Sequence, residues 1–376
     1  MPVNRSAISK IEIFKLNISR STPFRIALGT WTHVENILIR IHSSDGIYGL
    51  GEGSPIPYLV GETQATDFEA AKALARLLIG KNPLEIEERM RELDAFLVHN
   101  ATIKSAFDMA LYDLLGKVAN LPLYALLGGK KRILYTDDTL GIDTPEEMAR
   151  AALELKRRGF PAIKVKLGTS RMDDVARIRA IRDLVGYEIP IRIDANQGWD
   201  PVTAVQTLCE LAPFNIQYCE EPVAHWNNQA LRRVREKSPI PIMADESLFD
   251  HHDAFRLASM GACDFFNIKL AKCGGIHNAL KINAIAEGAG IQCMVGCMSE
   301  TRLGVSAAAH LVSARPNIVF ADLDAAFNHA EDPVIGGISY DGAKIILPDT
   351  PGHGADIRAE FLSRLESASV SRDSQD

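Results

Sequence analysis

The sequence lacks the features that mark membrane and secreted proteins. Its 376 residues contain no apolar run near the roughly 18 residues that a membrane-spanning helix needs. The opening segment Met1–Arg20 has no apolar signal-peptide core and no cleavage signal. None of the six cysteines forms a Cys-x-x-Cys pair, so we expect free thiols in a reducing compartment. These absences predict a soluble, cytoplasmic protein with no membrane partner.

An excess of positive charge is missing as well. The 41 lysines and arginines face 48 aspartates and glutamates, which gives a net charge of −7. Because phosphate binding needs a basic surface, we expect no nucleic-acid partner. The hydrophobic share of 47% allows a large core, and the length suggests about two domains.

The first third of the chain combines strands with helices. Residues 8–54 alternate in the manner of strands and include an Asp-Gly hairpin signal in SSDG. Residues 66–120 carry apolar positions at helical spacing. We therefore predict an α+β capping domain over residues 1–130 that supplies substrate-covering loops.

Eight strand candidates alternate with helical stretches after this unit, at about 25 residues per repeat. This α/β pattern predicts a parallel (β/α)8 barrel over residues 131–325, with a doubly wound open sheet as the alternative. Residues 326–376 are expected to return to the capping domain and to end in a frayed tail. The candidates are 133–142, 162–168, 190–196, 216–222, 241–247, 265–271, 291–297 and 318–324.

Three acids end three successive strand candidates: Asp194, Glu220 and Asp245. Active sites of parallel barrels lie at the C-terminal ends of the strands, so these carboxylates should meet at one mouth. Three oxygen ligands with open positions suit Mg²⁺. The alternative is that each acid caps a helix or pairs with a surface lysine.

Lysines flank the three acids on the neighbouring strands. Lys164 and Lys166 are two residues apart, so their side chains share one face, and Lys269 lies four strands further round the barrel. Two amines that face each other across a carbon acid suit abstraction of a proton α to a carboxylate. Return of the proton from the other side inverts the centre, whereas a β leaving group gives elimination.

The segments KVK, DANQGW, EEP, ADES and NIKLAKCGG, in this order, resemble the muconate-lactonizing branch of the enolase superfamily. The resemblance implies a modified TIM (β/α) barrel with a cap built from both ends of the chain, and often a homo-oligomer. It also implies one Mg²⁺ per subunit on Asp194, Glu220 and Asp245, with Lys166 and Lys269 as the acid/base pair. Muconate cycloisomerases, o-succinylbenzoate synthases, N-acylamino acid racemases and dipeptide epimerases belong to this branch.

The last strand candidate ends in Asp322-Leu323-Asp324, which places two carboxylates on one face at the barrel mouth. A substrate ammonium between them would relieve their repulsion. Dipeptide epimerases carry such a pair, so the resemblance implies a Mg²⁺-dependent isomerase that inverts the α-carbon of the C-terminal residue of a dipeptide. The alternatives are that these acids cap a helix or bind lysine and arginine.

Two cap loops and the end of the seventh strand are expected to complete the substrate pocket. The loops span residues 21–32 and 53–62, and Gly29 stands near the place of the arginine that Ala-Glu epimerases carry. We therefore expect small or hydrophobic dipeptides. The alternatives are an N-acylamino acid racemase, o-succinylbenzoate synthase or muconate cycloisomerase, or a catalytically inactive metal-binding barrel. The predicted lining residues are Phe24, Arg25, Tyr58, Cys297, Met298 and Ser299, although Cys297 and Met298 could equally be core residues.

Overall fold

A computed structural model of the protein describes residues 6–372. The capping part begins with three antiparallel strands joined in one sheet. The predicted Asp-Gly hairpin is confirmed, because β2 ends and β3 begins around Gly46, whose φ of 81° is readily adopted only by glycine. The strands are β1 (Ile8–Ile26), β2 (Gly29–Ser43) and β3 (Tyr48–Gly53).

Five helices follow, and the longest packs closely on the sheet. A Cβ atom at Gly51 would lie 2.0 Å from the carbonyl oxygen of Ala106, so only glycine on β3 lets α4 come this near. Buried side chains such as Ile39 and Leu111 form the core between the two layers. The helices are α1 (Pro57–Val60), α2 (Gln64–Leu78), α3 (Ile86–Phe96), α4 (Ala101–Ala119) and α5 (Leu123–Leu126).

The predicted barrel is confirmed as eight parallel strands in sequential order that nearly close. The first strand is shorter than predicted, because β4 (Leu134–Tyr135) pairs with a later strand outside the barrel. Leu323 N donates to Thr136 Oγ1 at 2.8 Å and links the two ends of the sheet. The strands are β5 (Asp138–Leu140), β6 (Ile163–Lys166), β7 (Ile191–Asp194), β8 (Ile216–Glu220), β9 (Ile242–Ala244), β10 (Phe265–Lys269), β11 (Gln292–Gly296) and β12 (Ile318–Asp322).

Several of the barrel helices begin at polar side chains that cap their N-termini. The side chains of Thr144, Ser170, Asp200 and Asp250 accept backbone N–H groups of the first turns. None of the described helices is long and apolar enough to cross a membrane. The helices are α6 (Pro145–Arg157), α7 (Arg171–Val185), α8 (Pro201–Leu211), α9 (Asn228–Lys237), α10 (His251–Met260), α11 (Leu270–Cys273), α12 (Ile276–Ala289) and α13 (Arg302–Ala314).

The C-terminal segment returns to the cap, and its last described strand joins the cap sheet. The prediction of a frayed tail is wrong for residues 367–371, since these residues form a strand that pairs antiparallel with β1 from Phe14 to Lys10. Residues 373–376 lie outside the described residues, and the domain limits at 130 and 325 stay predictions. The elements are β13 (Val334–Gly336), β14 (Ser339–Asp341), β15 (Lys344–Ile346), β16 (Ala355–Ile357), α14 (Ala359–Leu362) and β17 (Ser367–Ser371).

Buried acids of the cap fasten it to the barrel. Glu52 on β3 accepts the N–H groups of Thr301 at 2.9 Å and Gly304 at 3.0 Å, at the start of α13. Asp108 on α4 accepts the N–H groups of Ile276 and His277 at the start of α12. These acids accept N–H groups that the first turns of two barrel helices leave unpaired, so the contacts hold the cap against the barrel.

Candidate active site

The acids predicted from the strand ends meet at one mouth of the barrel. Strand register places Lys166 beside Asp194 and Asp194 beside Glu220, and Asp245 directly follows β9. Their ligand oxygens lie within 4.8 Å of one another, and all three side chains are fully buried. We call Asp194, Glu220 and Asp245 the carboxylate triplet.

The charge of the carboxylate triplet is balanced by buried amines. Burial and the neighbouring Asp194 raise the pKa of Glu220 well above its usual value. Burial acts in the same direction on Asp245, yet Lys269 and Lys272 outweigh it and hold its pKa well below the usual value. Such a site keeps most of its negative charge only while cations stand beside it.

Three predicted lysines reach these acids. Lys164 Nζ lies 2.7 Å from Glu220 Oε2 and 3.4 Å from Asp194 Oδ2. Lys166 Nζ lies 2.6 Å from Asp194 Oδ2, and Lys269 Nζ lies 2.8 Å from Asp245 Oδ2. Burial alone would lower the pKa of Lys269, but Asp245 and Glu220 raise it. Neighbouring acids therefore hold Lys164 and Lys269 as ammonium groups.

Lys166 and Lys269 approach one cavity from different sides. Lys166 ends β6 and Lys269 ends β10, and three strands lie between these two in the sheet. Both side chains line the same cavity, together with Lys164. A group bound between them can therefore meet an amine on either face.

Two further polar residues of this cluster are not among the predicted site residues. Asn267 Nδ2 donates to Glu220 Oε1 at 2.6 Å. Lys272 is fully buried and contacts the Asp245 side chain, and its Nζ also lies 3.2 Å from Asn267 O. Asn267 could have been found, because it stands two residues before Lys269 on the same strand face. Lys272 lies in a short helix beyond the strand, where period 2 gives no signal.

The last barrel strand brings Asp322 and Asp324 to the same cavity; we call them the acid pair. Lys164 Nζ lies 2.7 Å from Asp322 Oδ2, and it lowers the pKa of Asp322 against the effect of burial. Burial and the charge of Asp322 raise the pKa of Asp324. The Asp324 side chain makes no capping hydrogen bond to the short helix Ala325–Asn328, and Cys297 Sγ lies 3.6 Å from its Oδ1.

The first expected loop is instead a β-hairpin, because β1 continues to Ile26 and β2 starts at Gly29. Its alternation sends Phe24 and Ile26 into the cavity but not Arg25, which lines a separate surface groove. The expectation for Arg25 is therefore not met.

The second loop contains α1, and Ile56 and Leu59 line the cavity. Tyr58 does not line the cavity; its side chain is 67% exposed and stands edge-on to Trp31, with ring centroids 6.2 Å apart. Cys297, Met298 and Ser299 do line the cavity as predicted. The cavity residues absent from the prediction include Arg20, Thr139, Asn196 and Asn328.

Comparison with known proteins agrees with this arrangement. Residues 8–128 match the N-terminal domain of the mandelate racemase / muconate lactonizing enzyme family, and residues 147–361 match the enolase C-terminal domain-like family. The chain belongs to the mandelate racemase / muconate lactonizing enzyme family. This places it in the enolase superfamily, as the motifs predict.

Within this family the chain is similar to named epimerases. It is 46% identical to the D-Ala-D/L-Ala epimerase of Cytophaga hutchinsonii over 96% of this chain and 98% of the relative. It is 44% identical to the hydrophobic dipeptide epimerase of Enterococcus faecalis over 92% and 99%.

A solved structure in this family has nearly the same fold. The dipeptide epimerase of Cytophaga hutchinsonii, complexed with Mg and the dipeptide D-Ala-L-Val, superposes with a TM-score of 0.96. The superposition covers 97% of this chain and all of that one, at 46% identity.

Proposed function

We propose that the protein is a Mg²⁺-dependent dipeptide epimerase that inverts the α-carbon of the C-terminal residue. The observation that carries this proposal is that Lys166 and Lys269 line one cavity from strands separated by three others in the barrel. The carboxylate triplet lies beside them, and the acid pair lies at the end of the last strand. The Mg²⁺ and dipeptide complex of the Cytophaga hutchinsonii enzyme supports it.

The residues present fit a hard divalent cation. The carboxylate triplet supplies three oxygen ligands, the type that Mg²⁺ prefers. Glu220 Oε2 and both Asp245 oxygens accept no well-formed hydrogen bond among the described residues, although lysines approach them. We propose that Asp194, Glu220 and Asp245 hold one Mg²⁺ per subunit. When bound, the cation would supply positive charge next to the negative charge that develops on the substrate carboxylate as the α-proton is removed.

Lys166 and Lys269 act as the acid/base pair in this proposal. One lysine removes the α-proton and the other delivers a proton to the opposite face, so the centre inverts through an ene-diolate. Because acids hold Lys269 as an ammonium in this arrangement, it is set to deliver a proton once its partner has taken one. Lys164, which is fully buried beside Glu220, places a fixed positive charge near the developing negative charge.

The acid pair would receive the free amino group of the dipeptide. Asp322 already has Lys164 as a partner, whereas the pKa of Asp324 is raised by burial and by Asp322. An ammonium beside Asp324 would favour its charged form. The apolar walls formed by Ile26, Trp31 and Ile56 favour small or hydrophobic side chains at the epimerised residue.

Deuterium exchange tests this function. The enzyme, Mg²⁺ and a library of L,L-dipeptides are incubated in D₂O, and we expect α-deuterium together with the L,D diastereomer for dipeptides with an apolar C-terminal residue. Mass spectrometry and NMR give both readouts. If the enzyme turned over N-acylamino acids, o-succinylbenzoate precursors or muconate but no dipeptide, it would not be a dipeptide epimerase. The substrate used would then identify an N-acylamino acid racemase, an o-succinylbenzoate synthase or a muconate cycloisomerase. Mg²⁺ binding without any exchange would favour an inactive barrel.

We further propose that the enzyme is a cytoplasmic homo-oligomer. The support is the family resemblance, together with the absence of a membrane-spanning helix among the described residues. Light scattering of the purified protein should give a mass that is at least twice the 41.2 kDa of one chain. A monomeric mass at micromolar concentration would overturn the oligomer.

A further inference from the structure

One cation of the cavity comes from the cap rather than from a barrel strand. Arg20 lies on β1 and lines the cavity beside Asp324 and Asn328. Its backbone forms an antiparallel bridge with His329, and Ala330 N donates to Ser19 O at 2.9 Å. These contacts fix the position of Arg20 next to the segment that follows the last barrel strand.

The Arg20 guanidinium has few partners among the described residues. It stacks on the Phe24 ring, with Cζ 5.0 Å from the ring centroid. Its Nε is buried and has no hydrogen-bond partner among residues 6–372. Burial lowers the pKa of Arg20, while Asp324 and Cys297 oppose that effect. A partly desolvated guanidinium without a matched acceptor is costly, so a bound acceptor would stabilise it.

The position of Arg20 indicates which part of a substrate it meets. This step rests on the proposed function, in which the amino group of the dipeptide lies at the acid pair. The Arg20 backbone bridges to His329, five residues after Asp324, and the charge of Asp324 acts on the Arg20 guanidinium. The cavity lining also includes the apolar residues Ile26, Trp31 and Leu59. The side chain nearest to Arg20 is therefore that of the N-terminal residue.

We propose that Arg20 determines specificity by binding an anionic side chain on the N-terminal residue of the dipeptide. The preferred substrates would then combine an acidic first residue with a small or hydrophobic second residue. The planar guanidinium can form two parallel hydrogen bonds to one carboxylate, which a neutral amide cannot match.

Three dipeptides that differ only in the first residue test this proposal: L-Glu-L-Val, L-Gln-L-Val and L-Ala-L-Val. The variant is Arg20→Met, which keeps an apolar stem against Phe24 but removes the charge. Steady-state epimerisation should show kcat/KM for L-Glu-L-Val reduced by about 10- to 100-fold, mainly through KM, which is the range expected for one hydrogen bond to a charged group. The value for L-Ala-L-Val should change by less than about threefold.

Arg25→Met is the matched control, because Arg25 stands on the same strand but outside this cavity. It should leave the ratio of the three dipeptides unchanged. Thermal unfolding monitored by circular dichroism checks that both variants are folded.

The outcomes separate this inference from the proposed function. Equal losses for all three dipeptides in Arg20→Met would show that Arg20 only balances Asp324, and the inference would fail. It would also fail if the wild-type enzyme used L-Ala-L-Val but rejected L-Glu-L-Val. If no dipeptide of any sequence were epimerised, the proposed function would fail along with it.

Discussion

The carboxylate triplet and the acid pair share one cavity but differ in how their charge is balanced. Amines surround the triplet: Lys164, Lys166, Lys269 and Lys272 each lie within 4.0 Å of one of its oxygens. In the acid pair, Lys164 contacts Asp322 only, and no described cation forms an ion pair with Asp324. The cavity thus holds one acid cluster with four lysine contacts and one acid, Asp324, that forms no ion pair with any described residue.

In the proposed function this difference assigns a different cation to each acid group. A dense group of buried acids can hold a small, highly charged ion, which replaces solvent at several oxygens at once. A single under-compensated acid beside a neutralised one suits a singly charged ammonium. In this proposal carboxylates bind Mg²⁺ at one place and an ammonium at the other. The number of lysines in contact with each acid group distinguishes the two places.

Removing one acid of the triplet should give the largest effect. Asp194→Asn should weaken Mg²⁺ binding and reduce kcat/KM for a dipeptide by about 1000-fold or more, because stabilisation of the substrate carboxylate is lost. Calorimetric Mg²⁺ titration and epimerisation assays check both. Normal Mg²⁺ affinity in the Asp194→Asn enzyme would contradict the assignment of Mg²⁺ to the carboxylate triplet.

Removing one base should strongly reduce inversion while leaving the acid groups intact. Lys269→Ala should reduce epimerisation by about 100- to 10,000-fold, the usual contribution of a general acid or base. Polarimetry measures the loss, and Mg²⁺ titration serves as the control. Retained epimerisation in Lys269→Ala would mean that the proton returns by another route.

Neutralising the second acid of the pair should have an intermediate effect. Asp324→Asn should raise KM for a dipeptide by about 10- to 100-fold, because one charge-assisted contact to the ammonium is lost. An N-acylamino acid, which carries no ammonium, provides the comparison. Its KM should be the same for Asp324→Asn as for the wild-type enzyme. Equal losses on both substrates would show that Asp324 supports the fold rather than the ammonium.

Acidification should give the smallest effect and distinguish the two groups again. Because the pKa of Asp324 is raised, this acid loses its charge at a higher pH than an ordinary aspartate, whereas Asp322 keeps its charge to lower pH. Dipeptide affinity should therefore weaken as the pH falls through the raised pKa of Asp324. A KM profile against pH should show this acidic limb in the wild type, and Asp324→Asn should lack it.

The barrel mouth was predictable from the sequence because strand geometry is local. Side chains alternate along each strand, and parallel strands end at one face, so Asp194, Glu220 and Lys269 could be placed without any knowledge of packing. Asn267 follows from the same rule. Lys272 does not, since it reaches Asp245 from a helical turn beyond the strand.

The cap was harder to predict because its geometry depends on distant segments. The hairpin at residues 21–32 directs Phe24 inward and Arg25 outward, and only the pairing of β1 with β2 fixes this choice. β17 is a short strand with little apolar character, in which Val370 is buried against the cap core. Its order comes from hydrogen bonding to β1, more than 350 residues earlier, rather than from its own pattern.

Isotope exchange in the two single-lysine variants tests the two-base account most directly. Lys166→Ala and Lys269→Ala are each incubated in D₂O with an L,L-dipeptide and, separately, with its L,D diastereomer, and α-deuterium is followed by NMR. Each variant retains one base, so we predict that each exchanges one diastereomer only and that the two variants exchange opposite ones. Exchange of the same diastereomer by both variants would contradict the account.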